Sequence, residues 1–257
     1  MAFLFYVALL AALLALWRAL WRPRKLTGLG RTPPLAIGHR GVRGPRPENT
    51  LAAVGYALDA GLDGAEVDVQ RLADGALVLF HDADTAGQPL LTLNLPELRA
   101  LHPDVPKLEE LFDLMRGYPG TLLNIELKAQ TWATNGLERA VAAQVLASGL
   151  EERSLISSFS PLSLLRLRLY APSLRVGLLY APGLPWWGRS GRLAAWLHVD
   201  ALHPHESLVT PAFMAKAAAK NLMVNVWTVN DEKRITSLRG LGVTAIIGDN
   251  PVTFGRP

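Results

Sequence analysis

Short and long apolar runs alternate along the chain from Leu35 to the C-terminus. Runs of about four to eight residues bounded by Gly, Pro or charged residues are typical of buried strands. Longer runs with apolar residues three and four apart are typical of helices. The predicted strands are Leu35–His39, Gly64–Gln70, Ala76–His81, Thr121–Lys128, Leu155–Ser158, Leu174–Tyr180, Asp200–His203, Met223–Val229 and Thr244–Gly248. The predicted helices are Asn49–Ala60, Leu108–Met115, Leu137–Ser148, Pro161–Tyr170, Trp186–Leu197, Thr210–Lys220 and Asp231–Arg239.

This alternation predicts an α/β fold, and specifically a closed (β/α)8 TIM barrel. Such a barrel typically needs roughly 250 residues, and the chain has 257. An open doubly wound sheet is the alternative. That architecture usually carries a glycine-rich nucleotide loop after a strand, and the sequence has no such loop.

The N-terminal segment is apolar and uncharged from Met1 to Trp17. A membrane-spanning helix needs about 20 such residues, with a range of about 17–25. Basic residues follow directly, which predicts an outside N-terminus and a cytoplasmic C-terminal domain. A cleaved signal peptide and a helix lying in the interface are the alternatives. We predict a transmembrane or membrane-anchor helix at 1–22, a basic Pro/Gly stem at 23–34 and the barrel domain at 35–257.

Charge is distributed unevenly along the chain. The net charge is +4, but no acidic residue precedes Glu48, whereas eight basic residues do. These are Arg18, Arg22, Arg24, Lys25, Arg31, Arg40, Arg43 and Arg46. The positive charge therefore belongs to the N-terminal part, and no nucleic-acid-binding motif accompanies it, so we predict no nucleic-acid partner. The chain has no cysteine, which excludes disulfides and zinc–thiolate sites.

Three carboxylates lie at or near the ends of predicted strands. Glu66 and Asp68 are two residues apart on one strand, so they point to the same face, and Glu126 lies near the end of another strand. Carboxylates that share a buried site need a counter-charge, and their oxygens favour hard divalent cations. The sequence therefore predicts one bound divalent cation, Mg2+ or Ca2+. Ordinary salt bridges are the alternative, with Arg40, Arg71 or Lys128 as partners.

Two histidines, His39 and His81, also lie at predicted strand ends. Imidazole titrates near neutral pH, so this pair fits a general acid and a general base. Arg40 and Lys128 add positive charge that can neutralise a phosphate oxyanion. Together with a cation, these groups favour phosphoester chemistry over sugar isomerisation. His203 and His205 lie near another strand end and are weaker candidates for the same mouth.

Ordered motifs from about Leu35 to Pro251 resemble the glycerophosphodiester phosphodiesterase family. They are HRG at 39–41, PENT at 47–50, EVD at 66–68, HD at 81–82, VPKLEE at 105–110, NIELK at 124–128, SFS at 158–160, VWTVN at 226–230 and IGDNP at 247–251. The resemblance implies a phosphodiesterase barrel with metal ligands Glu66, Asp68 and Glu126. It also implies acid/base roles for His39 and His81, phosphate contacts from Arg40 and Lys128, and Trp227 in the pocket wall.

The reaction implied by the resemblance uses the neighbouring glycerol hydroxyl as the nucleophile. The alcohol leaves as this hydroxyl bonds to phosphorus and a cyclic phosphate forms. Water then opens the cyclic phosphate to glycerol 3-phosphate. One histidine takes the hydroxyl proton and the other protonates the leaving alkoxide, in either order. A silent phosphodiester-binding barrel at the membrane and a metal-dependent sugar-phosphate isomerase are the alternatives.

The sequence departs from the family pattern in two places. Only about 26 residues separate His-Asp at 81–82 from the next predicted helix, so no large subdomain should cover the site. The usual Thr-Asp near the last strand is Gly248-Asp249, which we expect to affect a peripheral contact only. Trp186 and Trp187 lie in a Pro/Gly loop and either pack or dip into lipid. With an open site near a bilayer, both lysophospholipids and water-soluble glycerophosphodiesters are predicted substrates.

Overall fold

Eight parallel strands pair edge to edge and close into a barrel in the computed structural model, which describes residues 2–27, 29–129, 134–185 and 190–255. In chain order the strands are β1 Leu35–Gly38, β2 Gly64–Arg71, β3 Leu77–Leu79, β4 Asp84–Thr85, β5 Gln88–Pro89, β6 Leu122–Leu127, β7 Ser154–Ser158, β8 Arg175–Tyr180, β9 Ala201–Pro204, β10 Met223–Val226 and β11 Ala245–Gly248. The barrel order is β1-β2-β6-β7-β8-β9-β10-β11, and β11 pairs back to β1. Strand β3 is antiparallel to β2, and β4 and β5 form a separate hairpin. The predicted (β/α)8 barrel is confirmed.

The α-helices of the described residues are α1 Ala2–Ala19, α2 Leu51–Asp59, α3 Leu95–Leu101, α4 Leu108–Arg116, α5 Leu137–Ser148, α6 Pro161–Tyr170, α7 Pro211–Ala219 and α8 Glu232–Gly240. Helices α5 and α6 have the predicted bounds, and most other elements differ from prediction by one to three residues at an end. Thr210 caps α7, with Pro211 at its first position, as predicted.

The predicted helix Trp186–Leu197 is wrong within its described part. Residues 186–189, which include the Trp186-Trp187 pair, lie outside the described residues. The remainder forms only a 3-10 turn, Gly191–Leu193, followed by further turns. The apolar residues after Arg192 pack inward without a helical repeat, and Gly191 fits tightly against Leu202. Sequence analysis also missed the short helix α3, which Asn94 and Glu97 cap reciprocally.

The lower end of the barrel, where the strands begin, is closed by apolar packing. Leu35, Leu122, Leu155, Ala201, Met223 and Ala245 form part of a buried cluster there. Leu26 and Leu29 from the predicted stem pack against this cluster. The stem is also tied down by the Arg24 amide, which donates to Asp200 Oδ1 at 2.9 Å. The stem residues Leu26 and Leu29 therefore help to seal the barrel floor.

Helix α1 covers 18 residues. At 1.5 Å per residue it extends about 27 Å, against about 30 Å for a bilayer core. No described helix is long and apolar enough to cross a membrane. The spanning helix predicted at 1–22 is therefore not supported, because the chain leaves the helix at Leu20 and turns into the stem.

Candidate active site

A cavity of about 180 Å3 opens at the carboxyl ends of the barrel strands. It is lined by all but one of the candidate residues of the sequence analysis together with several apolar neighbours. The lining includes His39, Arg40, Glu66, His81, Asn124, Glu126, Lys128, Phe159, Leu179, Trp227, Thr228 and Ile247. Asp68 contacts two of these lining residues, Arg40 and Lys128, directly. The structure thus brings the whole predicted set to one mouth.

Strand register explains why the three carboxylates converge. Asp68 on β2 lies directly opposite Glu126 on the adjacent parallel strand β6, and Glu66 lies opposite Asn124. One oxygen from each of Glu66, Asp68 and Glu126 lies within 4.8 Å of the others. That separation suits one ion, since oxygen ligands lie about 2.0–2.6 Å from Mg2+ or Ca2+. These three buried residues could hold a single divalent cation.

Burial and mutual repulsion give the three carboxylates different pKa values. Burial, with the charges of Asp68 and Glu126, raises the pKa of Glu66 well above its usual range. Burial also raises the pKa of Glu126, to about 7, although Lys128 opposes it. Burial acts on Asp68 as well, but Lys128 and Arg40 outweigh it and hold the pKa of Asp68 below its ordinary value. Ionisation of all three carboxylates together therefore requires positive charge that compensates them.

Arg40 and Lys128 lie against these acids as well as beside the cavity. Lys128 Nζ is 2.9 Å from Asp68 Oδ1 and 2.5 Å from Glu126 Oε1, and Arg40 Nε is 3.1 Å from Asp68 Oδ2. Burial lowers the pKa of Lys128, but the charges of Glu126 and Asp68 outweigh burial. The pKa of Lys128 is therefore raised, and the ammonium stays charged. The salt bridges named as the alternative therefore exist for Arg40 and Lys128. Arg71 instead donates to the Asn135 carbonyl.

A tight turn after β1 aims backbone and side-chain donors at the acids. Arg40 has φ +53°, and its amide donates to Glu66 Oε2 at 2.9 Å. Gly41 follows with φ +79°, and a Cβ there would lie 2.6 Å from the backbone of Ala53. Asn49, also at positive φ, donates to Asp68 Oδ2 at 2.8 Å. Only glycine fits at position 41, so the turn depends on that residue.

His39 is held by an acid from the far end of the chain. Its Nδ1 lies 2.7 Å from Asp249 Oδ1, and Asn230 donates to the other oxygen, Oδ2, at 2.5 Å. Burial raises the pKa of Asp249, but the hydrogen bonds from His39 and Asn230 outweigh it and hold the pKa below its ordinary value. An ionised carboxylate only accepts, so Nδ1 of His39 carries the proton and the lone pair of the neutral ring is on Nε2.

His81 has a similar but more exposed partner. Its Nδ1 lies 2.7 Å from Asp82 Oδ1, and the side chains of His81 and Asp82 are 36% and 72% exposed. The corresponding fractions for His39 and Asp249 are 15% and 22%. The His39 pair is therefore less screened by water than the His81 pair.

Aromatic rings form one wall of the cavity. Trp227 packs edge to face against Phe159 at 5.4 Å and against His205 at 5.5 Å, and its Nε1 donates to the His203 carbonyl. Trp227 thus lies in the cavity wall, and its role in substrate binding stays a prediction. His205 lies beside it at the mouth, whereas the His203 side chain is fully buried below, hydrogen-bonded to Asn225.

The donor set at the three carboxylates fits a hard cation. All three side chains offer oxygen, which Mg2+ and Ca2+ prefer. Glu66 Oε1 is buried and has no hydrogen-bond partner within the described part of the chain. A buried oxygen without a partner is costly, and a bound cation would satisfy it.

Sequence analysis missed the parts played by Asp249 and Asn49. The departure at Gly248-Asp249 was expected to affect a peripheral contact only, but Asp249 directly positions His39. The signal was available in the topology, because β11 closes the barrel next to β1 with Gly248 opposite Gly38. The next residues, His39 and Asp249, must then be neighbours. Asn49 stood within a quoted motif, but the chain pattern alone does not show that it reaches Asp68.

The chain is similar along most of its length to known phosphodiesterases. The model of the glycerophosphoryl diester phosphodiesterase family matches residues 39–253. The chain belongs to this family. A glycerophosphodiester phosphodiesterase of Caldanaerobacter subterraneus is 33% identical over 86% of this chain and 96% of its own length. One of Bacillus altitudinis is 30% identical over 83% of this chain and 93% of its own.

A solved structure of a family relative shares the fold. It is an Oleispira antarctica phosphodiesterase in complex with the product sn-glycerol-3-phosphate, with a TM-score of 0.70 and 27% identity over 85% of this chain and 94% of that one. The chain is accordingly an enzyme, a glycerophosphodiester phosphodiesterase. This excludes the silent binding barrel and the sugar-phosphate isomerase that the sequence left open.

Proposed function

We propose that this phosphodiesterase is metal-dependent and releases glycerol 3-phosphate and an alcohol from glycerophosphodiesters. The observation that carries the proposal is the convergence of Glu66, Asp68 and Glu126 within 4.8 Å, beside His39 and His81 in one cavity. The product bound in the Oleispira relative supports the same class of substrate. Bound Mg2+ or Ca2+ would polarise a phosphate oxygen and offset the charge that grows on it during reaction.

Formal charge supports binding of a phosphodiester. The three acids contribute three negative charges, and Arg40 and Lys128 return two positive ones. With a divalent cation the group has one net positive charge, which matches the single negative charge of a phosphodiester. Arg40 and Lys128 are therefore proposed as phosphate partners as well as partners of the acids.

The histidines are proposed to move the protons. Nε2 of one ring takes the proton from the glycerol hydroxyl as its oxygen bonds to phosphorus, and the other imidazolium gives a proton to the departing alkoxide. The cyclic phosphate that remains is opened by water through the reverse proton transfers. Asp249 and Asp82 hold Nδ1 of His39 and His81, which leaves Nε2 of each free for this work.

The cavity suits a small polar group. Its volume of about 180 Å3 is enough for a glycerophosphate, with Trp227 and Phe159 against the glycerol carbons. The alcohol portion then projects toward the mouth. We propose small glycerophosphodiesters such as glycerophosphocholine and glycerophosphoethanolamine as the substrates, and do not extend the proposal to lysophospholipids.

We further propose that α1 attaches the enzyme to the cytoplasmic face of a membrane. The apolar side chains of α1 and the basic residues that follow it support this location. The absence of cysteine is compatible with a reducing compartment.

A substrate panel tests the proposal. Glycerophosphocholine, glycerophosphoethanolamine and lysophosphatidylcholine would be assayed with Mg2+ or Ca2+ and with a chelator. We expect metal-dependent release of glycerol 3-phosphate from the two soluble diesters. Equal rates with and without chelator would contradict the metal-dependent mechanism, and preferred cleavage of the lysophospholipid would contradict the substrate class.

A further inference from the structure

Helix α1 is attached to the lower end of the barrel, away from the catalytic mouth. Trp17 donates from Nε1 to the Trp196 carbonyl at 3.0 Å, and its ring stacks on His198 at 3.9 Å. Trp21 donates from Nε1 to the Val199 carbonyl at 2.8 Å. These partners immediately precede β9, so they lie where the strands begin.

The rest of α1 projects as an exposed apolar surface. Side chains on every side of the helix are exposed, from 70% at Leu4 to 42% at Leu14. A contiguous apolar surface of this kind marks a site of contact with another apolar phase. Leu9 and Leu13 are one turn apart and belong to this surface.

Cations without acidic partners accompany the apolar surface. In the described ranges, Arg18, Arg22, Lys25, Lys216 and Lys220 take part in no salt bridge within 4.0 Å. Lys25 belongs to the floor of the barrel, and Lys216 and Lys220 lie at the end of α7, which is also the lower end. Negatively charged lipid headgroups complement such a surface.

The catalytic residues occupy the opposite end. Strand β6 has 6 residues, of which Glu126 is the fifth, and at about 3.3 Å per residue the strand is about 20 Å long. The phosphate of a lipid in the attached bilayer would lie at the level of the floor. It would be separated from Glu126 and His39 by the packed interior.

We propose that α1 and the cationic floor bind an anionic bilayer so that the catalytic mouth opens to water. The substrates are then glycerophosphodiesters that have already lost their acyl chains, supplied by a deacylating reaction. The substrate part of this inference rests on the proposed function, whereas the orientation does not. It reverses our expectation that an open site near a bilayer would act on lysophospholipids.

Site-directed fluorescence tests the orientation. The chain has no cysteine, so Ser173→Cys at the floor and Glu232→Cys at the start of α8 near the mouth each give one labelling site. Each labelled protein would be added to vesicles of phosphatidylglycerol and phosphatidylcholine that carry a lipid quencher. We expect at least about threefold stronger quenching at position 173 than at 232. Equal quenching, stronger quenching at 232, or none at either position would overturn the proposal.

A matched pair of variants tests the surface. L9E combined with L13E places charge on α1, and L101E places it at a similarly exposed leucine of α3, which Asp74 holds beside the turn between β2 and β3 at the mouth end. We expect the double variant to lose at least about tenfold in vesicle co-sedimentation and L101E to bind as wild type. Undiminished binding of the double variant would overturn the role of α1. Concentration-dependent dimerisation through α1 without lipid binding would instead assign the surface to a second copy.

Activity separates this inference from the proposed function. Both variants should hydrolyse soluble glycerophosphocholine at the wild-type rate. The vesicle-bound wild type should cleave lysophosphatidylcholine at least about tenfold less efficiently than it cleaves glycerophosphocholine. Efficient cleavage of that lipid by vesicle-bound enzyme would overturn the substrate inference. Failure to cleave either substrate, with the quenching pattern intact, would overturn the proposed function and leave the orientation standing.

Discussion

His39 and Asp249 are 210 residues apart in the chain, but His39 Nδ1 and Asp249 Oδ1 are 2.7 Å apart. Pairing of β1 with β11 produces this contact, because barrel closure places the two strand ends side by side. The carboxylate fixes the tautomer of the imidazole, as the third member of a catalytic triad does.

Asp249→Asn should lower kcat by about 10²–10⁴-fold, because the amide can donate to Nδ1 and favour the wrong tautomer of His39. The steady-state rate with glycerophosphocholine measures this. Asp84→Asn, at an exposed acid of the β4–β5 hairpin, is the control and should leave kcat unchanged. A rate for Asp249→Asn within twofold of wild type would show that His39 needs no such partner.

His39→Ala and His81→Ala should each lose about 10²–10⁴-fold in turnover while the fold survives. Comparing an alkyl leaving group with p-nitrophenol distinguishes their roles. The variant that lacks the proton donor should recover most of its rate with p-nitrophenol, since that group leaves without a proton. Wild-type rates in both variants, or recovery in neither, would contradict the acid/base pair.

Metal binding should stabilise the fold through the three acids. A ligand at 100 times its Kd adds about 2.7 kcal/mol to the free energy of unfolding, so Mg2+ or Ca2+ should raise the Tm of the wild type. In Glu66→Gln the rise should disappear, because a carboxylate ligand is lost. Glu138→Gln, at another buried acid, should keep it. An unchanged rise in Glu66→Gln would mean that the ion binds elsewhere.

Much of the fold follows from local pattern, and its exceptions have local causes. Helices α5 and α6 were predicted to the residue because they have clear ends, Gly136 and Gly149 around one and Ser160-Pro161 before the other. The 3-10 turn at Gly191–Leu193 was mistaken for part of a helix, since its apolar spacing mimics one. Packing against the barrel determines the conformation of that segment.

The candidate site was predicted from residue types and strand ends, but not its internal contacts. Glu66 and Asp68 sharing a face is a property of one strand and can be read from the sequence. The pairing of His39 with Asp249 depends on which strands become neighbours on closure. The seal formed by Leu26 and Leu29 was also missed, because Pro and Gly around them indicated a simple linker.

Glu138 should make stability depend on pH. Burial raises the pKa of Glu138, but hydrogen bonds from Thr134 and Ser163 and the ion pair with Arg166 outweigh it, so its folded pKa lies below its ordinary value. The contribution of ionised Glu138 to the free energy of unfolding is therefore complete above the pKa of Glu138 in the unfolded chain. It is lost as pH falls through the lower pKa of Glu138 in the folded protein.

Glu138→Gln should lower the free energy of unfolding by about 1–3 kcal/mol at pH 7. The deficit should shrink as pH falls below about 4.5. Urea unfolding at several pH values measures it, with Glu109→Gln at an exposed acid as the control. A deficit that stays constant with pH would rule out the charge as its source.

Metal titration of turnover tests the central claim most directly. Chelator-treated enzyme would be given glycerophosphocholine and increasing Mg2+ or Ca2+, and the initial rate of glycerol 3-phosphate release would be measured beside Glu66→Gln. We predict almost no rate without metal, a saturable rise in the wild type with one ion bound per chain, and no rise in Glu66→Gln. A full rate in the chelator-treated wild type, or the same rise in Glu66→Gln, would contradict a metal-dependent site built on these acids.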